Sequence, residues 1–385
     1  MKKQLAVAAG LALLSTSAFA TKARLQALGQ GGTAKGLQGS FFLDDSRNVF
    51  LNPASLNEMS NYVVTEWGRG DDGATPTATT TDDSATTPHA EGGFFRDGGS
   101  INYGLYLGNE YGTNNSVKRN ADMQQTDNNL DLFFAGNMGF DWGARISYSS
   151  SSNKRDGGIE IENDTLGLGL GINHGKIGAY ANLLLKDEST GSDDGTTTNA
   201  DDKFEADLGL NLGVSYDHKN MTFYADYDKQ GHERTVSASR TEVETTQINV
   251  GVANKMSMNE TSMMFVDFRF RSVEEETVGG DTEKTTALPL TIGFETQATS
   301  WLALRASVSQ NIIINDEETT GTTNSEKTSD NTTNINAGAT LTFGKLSVDG
   351  VIGTTGLNRD TTGANEQGVL ATDNLMTRVA VSYMF

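Results

Sequence analysis

From Asn61 to the C-terminus the chain repeats one pattern. Segments of about ten residues carry an apolar side chain at every second position, and polar stretches rich in Thr, Asp, Asn, Ser and Gly separate them. A side-chain period of two is that of a β-strand with one apolar and one polar face. Sixteen such segments can be placed, near 59–67, 89–96, 99–108, 129–138, 141–150, 163–173, 176–186, 203–216, 219–229, 243–254, 260–271, 285–296, 299–311, 332–343, 345–354 and 373–385. The gaps alternate. Asp97-Gly98, Gly139-Phe140, His174-Gly175, Asp217-His218 and Gly344 are short, whereas 68–88, 109–128, 151–162, 187–202, 230–242, 272–284, 312–331 and 355–372 are long. Short turns on one side and long loops on the other are the asymmetry of a membrane barrel, and a tilted strand of about 9–11 residues spans a bilayer. The expected fold is all-β: a transmembrane antiparallel up-and-down barrel of about sixteen strands, with fourteen as the alternative count.

The faces follow from parity. At 332–343, Ile335, Ala337, Ala339, Leu341 and Phe343 oppose Asn334, Asn336, Gly338, Thr340 and Thr342; at 260–271, Val266, Phe268 and Phe270 oppose Asp267, Arg269 and Arg271. Charges stay off the apolar face, which suits lipid, and aromatics such as Tyr62, Trp67, Trp142, Tyr148, Tyr216, Trp301 and Tyr383 gather near strand ends, as an interfacial girdle requires. The same parity sends Asp131, Arg145, Glu205, Asp207, Asp226, Asp228, Asp267, Arg269, Arg271, Glu295, Arg305, Asp349 and Arg378 into the lumen. Eight acids facing five bases describe a water-filled, mildly cation-preferring pore, or charges that pair across the lumen and close it.

Composition narrows the partners. With 29 Lys+Arg against 50 Asp+Glu, the formal charge is −21, which excludes nucleic acid as a partner because phosphates call for a basic surface. No cysteine is present, so there is no disulfide framework, thiolate metal site or Cys nucleophile. Met1-Lys2-Lys3, the apolar run Leu5–Leu14 and Ala18-Phe19-Ala20 read as a secretory signal peptide over 1–20. It directs the chain through the inner membrane, and its removal leaves a charge of 27 − 50 = −23. The final Val379-Ala380-Val381-Ser382-Tyr383-Met384-Phe385, with Val381, Tyr383 and Phe385 on one face, resembles the C-terminal signature of bacterial outer-membrane barrels. That resemblance implies the cell outer membrane as location and the barrel-assembly machinery, lipid and lipopolysaccharide as partners.

Residues 21–58, ahead of the barrel at 59–385, do not alternate. Arg24, Gly29, Gly31, Gly32, Asp44, Asp45 and Asn52-Pro53-Ala54-Ser55-Leu56 are similar to the N-terminal pattern of the long-chain fatty-acid transporter family of the outer membrane. The match covers about 35 residues, and that family has fourteen strands rather than sixteen; there the segment folds into the barrel as a hatch. The residues themselves leave a plug or a periplasmic tail open. Gly167, Gly169 and Gly171 in the run Leu166–Ile172 take three inward side chains off the wall and leave room for such a plug.

Other motifs carry less. Gly29-Gln30-Gly31-Gly32-Thr33-Ala34 has the letters of a dinucleotide fingerprint without the strand and helix it needs. The acidic pairs Asp71-Asp72, Asp82-Asp83, Asp193-Asp194 and Asp201-Asp202 and the run Glu274–Glu276 could hold calcium, but none has a calcium-loop spacing, so no metal or cofactor is expected. The four histidines, His89, His174, His218 and His232, form no catalytic constellation, and an enzyme is not expected. The expected function is therefore passive diffusion of small hydrophilic solutes through a porin-like channel. A hatch-gated transporter of hydrophobic compounds, with inward Phe133 and Phe265 as its apolar lining, and a closed structural or recognition barrel are the alternatives. A homo-oligomer rests only on the analogy with trimeric porins.

Overall fold

The computed structural model describes residues 21–30, 37–68, 89–109, 123–124, 126, 128–154, 160–191, 202–236, 239–321, 325–328, 333–353 and 376–385. The signal peptide, Gly31, Gly32 and the acidic pairs up to Asp194 lie outside them. Eighteen strand segments form one antiparallel sheet. They are β1 Tyr62–Gly68, β2 His89–Arg96, β3 Asn102–Leu107, β4 Leu130–Asn137, β5 Asp141–Lys154, β6 Glu160–His174, β7 Ile177–Gly191, β8 Asp202–Ala206, β9 Gly209–His218, β10 Met221–Val236, β11 Ser239–Asn259, β12 Ser262–Thr277, β13 Thr282–Thr299, β14 Leu302–Thr320, β15 Ser325–Thr328, β16 Asn334–Phe343, β17 Leu346–Gly353 and β18 Met376–Met384. Segments β8 and β9 both lie between β7 and β10, and β15 and β16 both pair with β14, so each couple is one interrupted strand. Eighteen less two gives a sixteen-strand barrel, closed where β1 pairs with β18 from Tyr62↔Met384 to Gly68↔Arg378.

The outer face carries the apolar row: Leu170, Ile172, Val250, Phe270, Ile292, Leu304, Val379 and Tyr383 are exposed, while their strand neighbours are buried or polar. Val381 shares that face and Phe385 ends it, its N–H donating to the Asn61 carbonyl at 3.1 Å. Along β5, Arg145, Ser147 and Ser149 are buried while Ile146 and Tyr148 are exposed.

Two expectations are corrected. First, the expected gaps 230–242, 272–284 and 312–331 are largely strand, because β10 runs to Val236, β11 starts at Ser239, β12 runs to Thr277 and β14 to Thr320. Beyond the apolar belt both faces are polar, so the period-two hydrophobic signal stops. The ladder continues, with outward pairs such as Lys229–Glu244 at 3.1 Å and Lys284–Glu274 at 3.6 Å.

Second, Glu205 and Asp207 do not line the lumen. Between Lys229↔Leu210 and His232↔Ala206, two residues of β10 stand opposite three residues, 207–209. The extra residue inverts the side-chain alternation. Phe204 is therefore buried, while Glu205 turns outward to Lys203 at 2.7 Å and Asp207 is exposed against Gly231 on the outward row. A second extra residue, Leu185, lies between Leu166↔Lys186 and Gly167↔Leu184, which turns Asp187 and Ser189 inward.

Candidate functional site

The inward wall meets residues 21–30 and 37–58. The six-residue helix α1, Lys22–Ala27, starts at Thr21, whose hydroxyl accepts from the Arg24 N–H at 3.3 Å. Helix α2 spans Asn48–Leu51, and a 3₁₀ turn over Pro53–Asn57 is capped by the Asn52 side chain, which accepts from the Ala54 N–H at 3.1 Å. Pro53 suits this first position because its missing N–H has no intrahelical partner there.

The segment packs on the wall through apolar contacts. Leu25, Leu28, Leu37, Phe42 and Leu43 cluster with the inward Tyr224, Ala253, Met263 and Phe265. Phe41 stacks on Tyr224 with centroids 4.8 Å apart. Val49, Phe50 and Leu56 cluster with Tyr62, Val64, Phe95, Tyr106, Phe133 and Ala135. Both inward phenylalanines expected from parity thus meet this segment.

Asn52-Pro53-Ala54 lies in a trough of glycines. A Cβ at Gly143 would collide with the backbone of Pro53 and Ala54, and one at Gly171 with the Asn52 carboxamide. Pro53 Cγ is 3.4 Å from where a Gly169 Cβ would stand. The Asn52 amide donates to Asn173 Oδ1 at 2.8 Å, and the Asn182 amide donates to the Leu51 carbonyl at 2.9 Å. Absent side chains in β5 and β6 are what let backbone approach backbone here.

Two ion-pair clusters hold the remainder. On the β13–β17 wall, Arg24 donates its Nε and Nη2 to the two oxygens of Glu295, at 3.0 and 2.8 Å, and its Nη1 to Asp45 at 3.2 Å. Glu295 also accepts from Arg305 Nε at 2.5 Å, and Arg305 reaches Asp349 at 3.3 Å. Thr340 bonds both Arg305 and Asp349, and Thr21 donates to Asp349 at 3.4 Å. Every member is buried. Burial pushes the Asp45 carboxyl up to about 6, against the pull of Arg24 and Arg47.

On the β1–β3 wall, Arg47 donates to Tyr106 Oη at 3.0 Å and Asn109 Oδ1 at 2.9 Å, lies over the Phe50 ring at 3.9 Å and is 3.5 Å from Glu91 and 3.7 Å from Glu66. Lys22 Nζ pairs with Glu91 at 2.9 Å, and its backbone N–H donates to Glu66 at 2.8 Å. Glu66 and Glu91 were missed in the sequence. β1 is only seven residues long and β2 carries two consecutive glycines, so the alternation there is weak. Arg47 and Lys22 sit in the non-alternating segment, where parity says nothing.

The remaining expected lining residues are inward. Asp131 is fully buried 3.9 Å from Arg145, which donates to the Phe50 carbonyl at 3.1 Å. Asp267 accepts from Tyr224 Oη at 2.7 Å and Asp226 from the Asn249 amide at 2.9 Å. Asp228 and Arg378 are buried, and Arg269 and Arg271 share the inward row of β12 with Phe265 and Asp267. Among the described residues no group of three or more acidic or histidine side chains could hold a metal ion.

No protein-family model and no curated protein sequence matches the chain. Solved structures do. A Pseudomonas aeruginosa FadL homologue is matched at 10% identity and TM-score 0.40, over 93% of this chain and 98% of that one. The CymD monoaromatic hydrocarbon channel is matched at 10% identity and TM-score 0.42, over 93% and 97%. A Rh. blastica porin mutant is matched at 9% identity and TM-score 0.32, over 84% and 98%. These neighbours are outer-membrane β-barrels of both transporter and porin type, and at these values the likeness is one of barrel architecture alone.

Proposed function

We propose that this chain is an outer-membrane transporter whose lumen is closed by its own N-terminal segment, residues 21–58, acting as a hatch, and whose solutes are small and apolar. One observation carries the reading: Arg24 and Arg47, both in the segment, are buried in ion pairs with Glu295, Glu66 and Glu91 of the wall. Buried charges stay stable only while paired, so the docked segment is a discrete state rather than a loosely lying tail. Opening exchanges those pairs for water. The apolar class is supported by the inward aromatics Tyr106, Phe133, Tyr224 and Phe265, which the segment covers and which its displacement would bare.

Passive diffusion of hydrophilic solutes is the second reading. It is favoured by the polar inward row Asn163, Thr165, Asp187 and Ser189 on β6 and β7. In both readings the apolar outer row faces lipid, and the charged outward ends of β6, β7 and β10–β13 stand at the level of lipopolysaccharide. Flux into proteoliposomes separates the two. The hatch reading expects naphthalene to enter faster than glucose through the full-length protein. Equal exclusion of both, or a preference for glucose, would contradict it.

A further inference from the structure

The lumen arginines are not alike. Arg24 and Arg305 are bound by carboxylates, Arg47 by carboxylates, a phenol and an amide, and Arg145 by a carbonyl. Arg269 and Arg271, at i and i+2 on β12, face the lumen together. Among the described residues neither lies within ion-pairing distance of a carboxylate, and the Nε of each is buried with no acceptor. The positions across the sheet explain this. Arg269 stands opposite Gly251, and Arg271 stands between Asn249 and Ala287, so no neighbouring strand presents an acid in either row.

The nearest inward carboxylates are already engaged by neutral donors: Asp267 by the Tyr224 hydroxyl at 2.7 Å, and Asp226 by the Asn249 amide at 2.9 Å. Both arginines keep partial exposure, although the Nε of each is buried. Two like charges in one inward row repel, and a partly buried guanidinium without an acceptor costs its desolvation. In a chain of charge −21, where an acidic partner could stand almost anywhere, this pair is left for a ligand.

We propose that Arg269 and Arg271 form an oxyanion site in the lumen, binding a carboxylate or phosphate anion, distinct from the apolar solutes proposed above, between two guanidinium forks. The match is geometric: a guanidinium offers parallel N–H donors to two oxygens of one anion, and an oxyanion has enough oxygens to serve both residues. The site opposes the cation preference expected from the inward acids, because Asp226 and Asp267 accept hydrogen bonds from neutral donors while these two bases make no ion-pair contact among the described residues. It does not depend on the hatch moving.

The test is titration of the folded full-length protein in detergent with acetate and, separately, with inorganic phosphate, read by ¹³C and ³¹P line broadening. The account expects saturable broadening with at least one of the two anions. The site should weaken about tenfold or more in Arg269→Gln/Arg271→Gln and stay unchanged in Lys186→Gln, whose side chain is on the outer face. Retained heat-shifted gel mobility verifies folding. If the glutamine variant fails to fold, Arg269→Lys/Arg271→Lys decides, since it keeps the charge and loses the forks, and it should weaken binding as well. Absence of saturable binding to wild type, unchanged binding in the folded Arg269/Arg271 variant, or equal loss in Lys186→Gln would each overturn the assignment. Binding of acetate alone or phosphate alone names the anion class.

Discussion

The two ion-pair clusters that hold the N-terminal segment look equivalent and are not. At the β13–β17 wall the barrel supplies both signs: Glu295 and Asp349 face Arg305, and Arg24 adds a second base. At the β1–β3 wall the ion pairs found among the described residues take their acids, Glu66 and Glu91, from the barrel and their bases, Arg47 and Lys22, from the segment. Withdrawing the segment leaves the first wall with an internal pair and takes from the second the two bases, Arg47 and Lys22, that pair with its carboxylates. Under the proposed hatch reading, the first wall's charge balance outlasts undocking and the second wall's does not, because a buried charge is stable only while paired.

Breaking the second wall's pairs should have the largest effect. Arg47→Gln leaves two buried carboxylates sharing the single charge of Lys22, at a cost of about 3–5 kcal/mol to docking. Limited proteolysis of folded protein should then cut within residues 21–58 where wild type resists. Arg24→Gln should cost less, about 1–3 kcal/mol, since Glu295 keeps Arg305; comparable protease sensitivity in the two variants would erase the distinction between the walls.

Gly143→Leu sharpens the comparison without touching a charge. The new side chain collides with Pro53 and Ala54, so the segment should lift from β5 while both ion-pair clusters keep their residues, and protease sensitivity should centre on the Asn52–Leu56 stretch.

Acidity acts on the segment through Asp45. Asp45, whose carboxyl burial raises from 3.8 to about 6, holds a proton in the docked state that it would release in water. Its contribution to docking is therefore full below about pH 4 and is lost as pH rises through about 6. Protection of the segment should fall across that window in wild type and be flat in Asp45→Asn. The smallest effect is expected at Glu205→Gln, an outward residue paired with an exposed lysine, within about 0.5 kcal/mol by urea titration of the folded barrel.

The architecture was legible because a lipid-facing strand must alternate, and most of the sixteen did so clearly, β2 least. The same rule placed Asp131, Arg145, Asp267, Glu295, Arg305 and Asp349 on the inner wall. It failed where alternation stops being informative. One extra residue at 207–209 turned Glu205 outward, and nothing in the local sequence marks it. Polar strands above the bilayer carry no hydrophobic period, so β10–β14 ran longer than expected. Glu66 and Glu91 gain meaning only from Arg47 and Lys22, whose approach is a long-range contact with no local signal. The glycine run of β6 was the exception, because missing side chains imply that something else occupies the space, and Asn52 and Pro53 do.

If residues 21–58 close the lumen, the barrel conducts only when they leave it. Single-channel recording in a planar lipid bilayer tests it most directly, with full-length protein and the Arg24→Gln/Arg47→Gln variant compared in the same membrane. The account predicts a silent or rarely opening wild type and steady ohmic steps from the variant. Steady wild-type conductance that the two substitutions leave unchanged would contradict it.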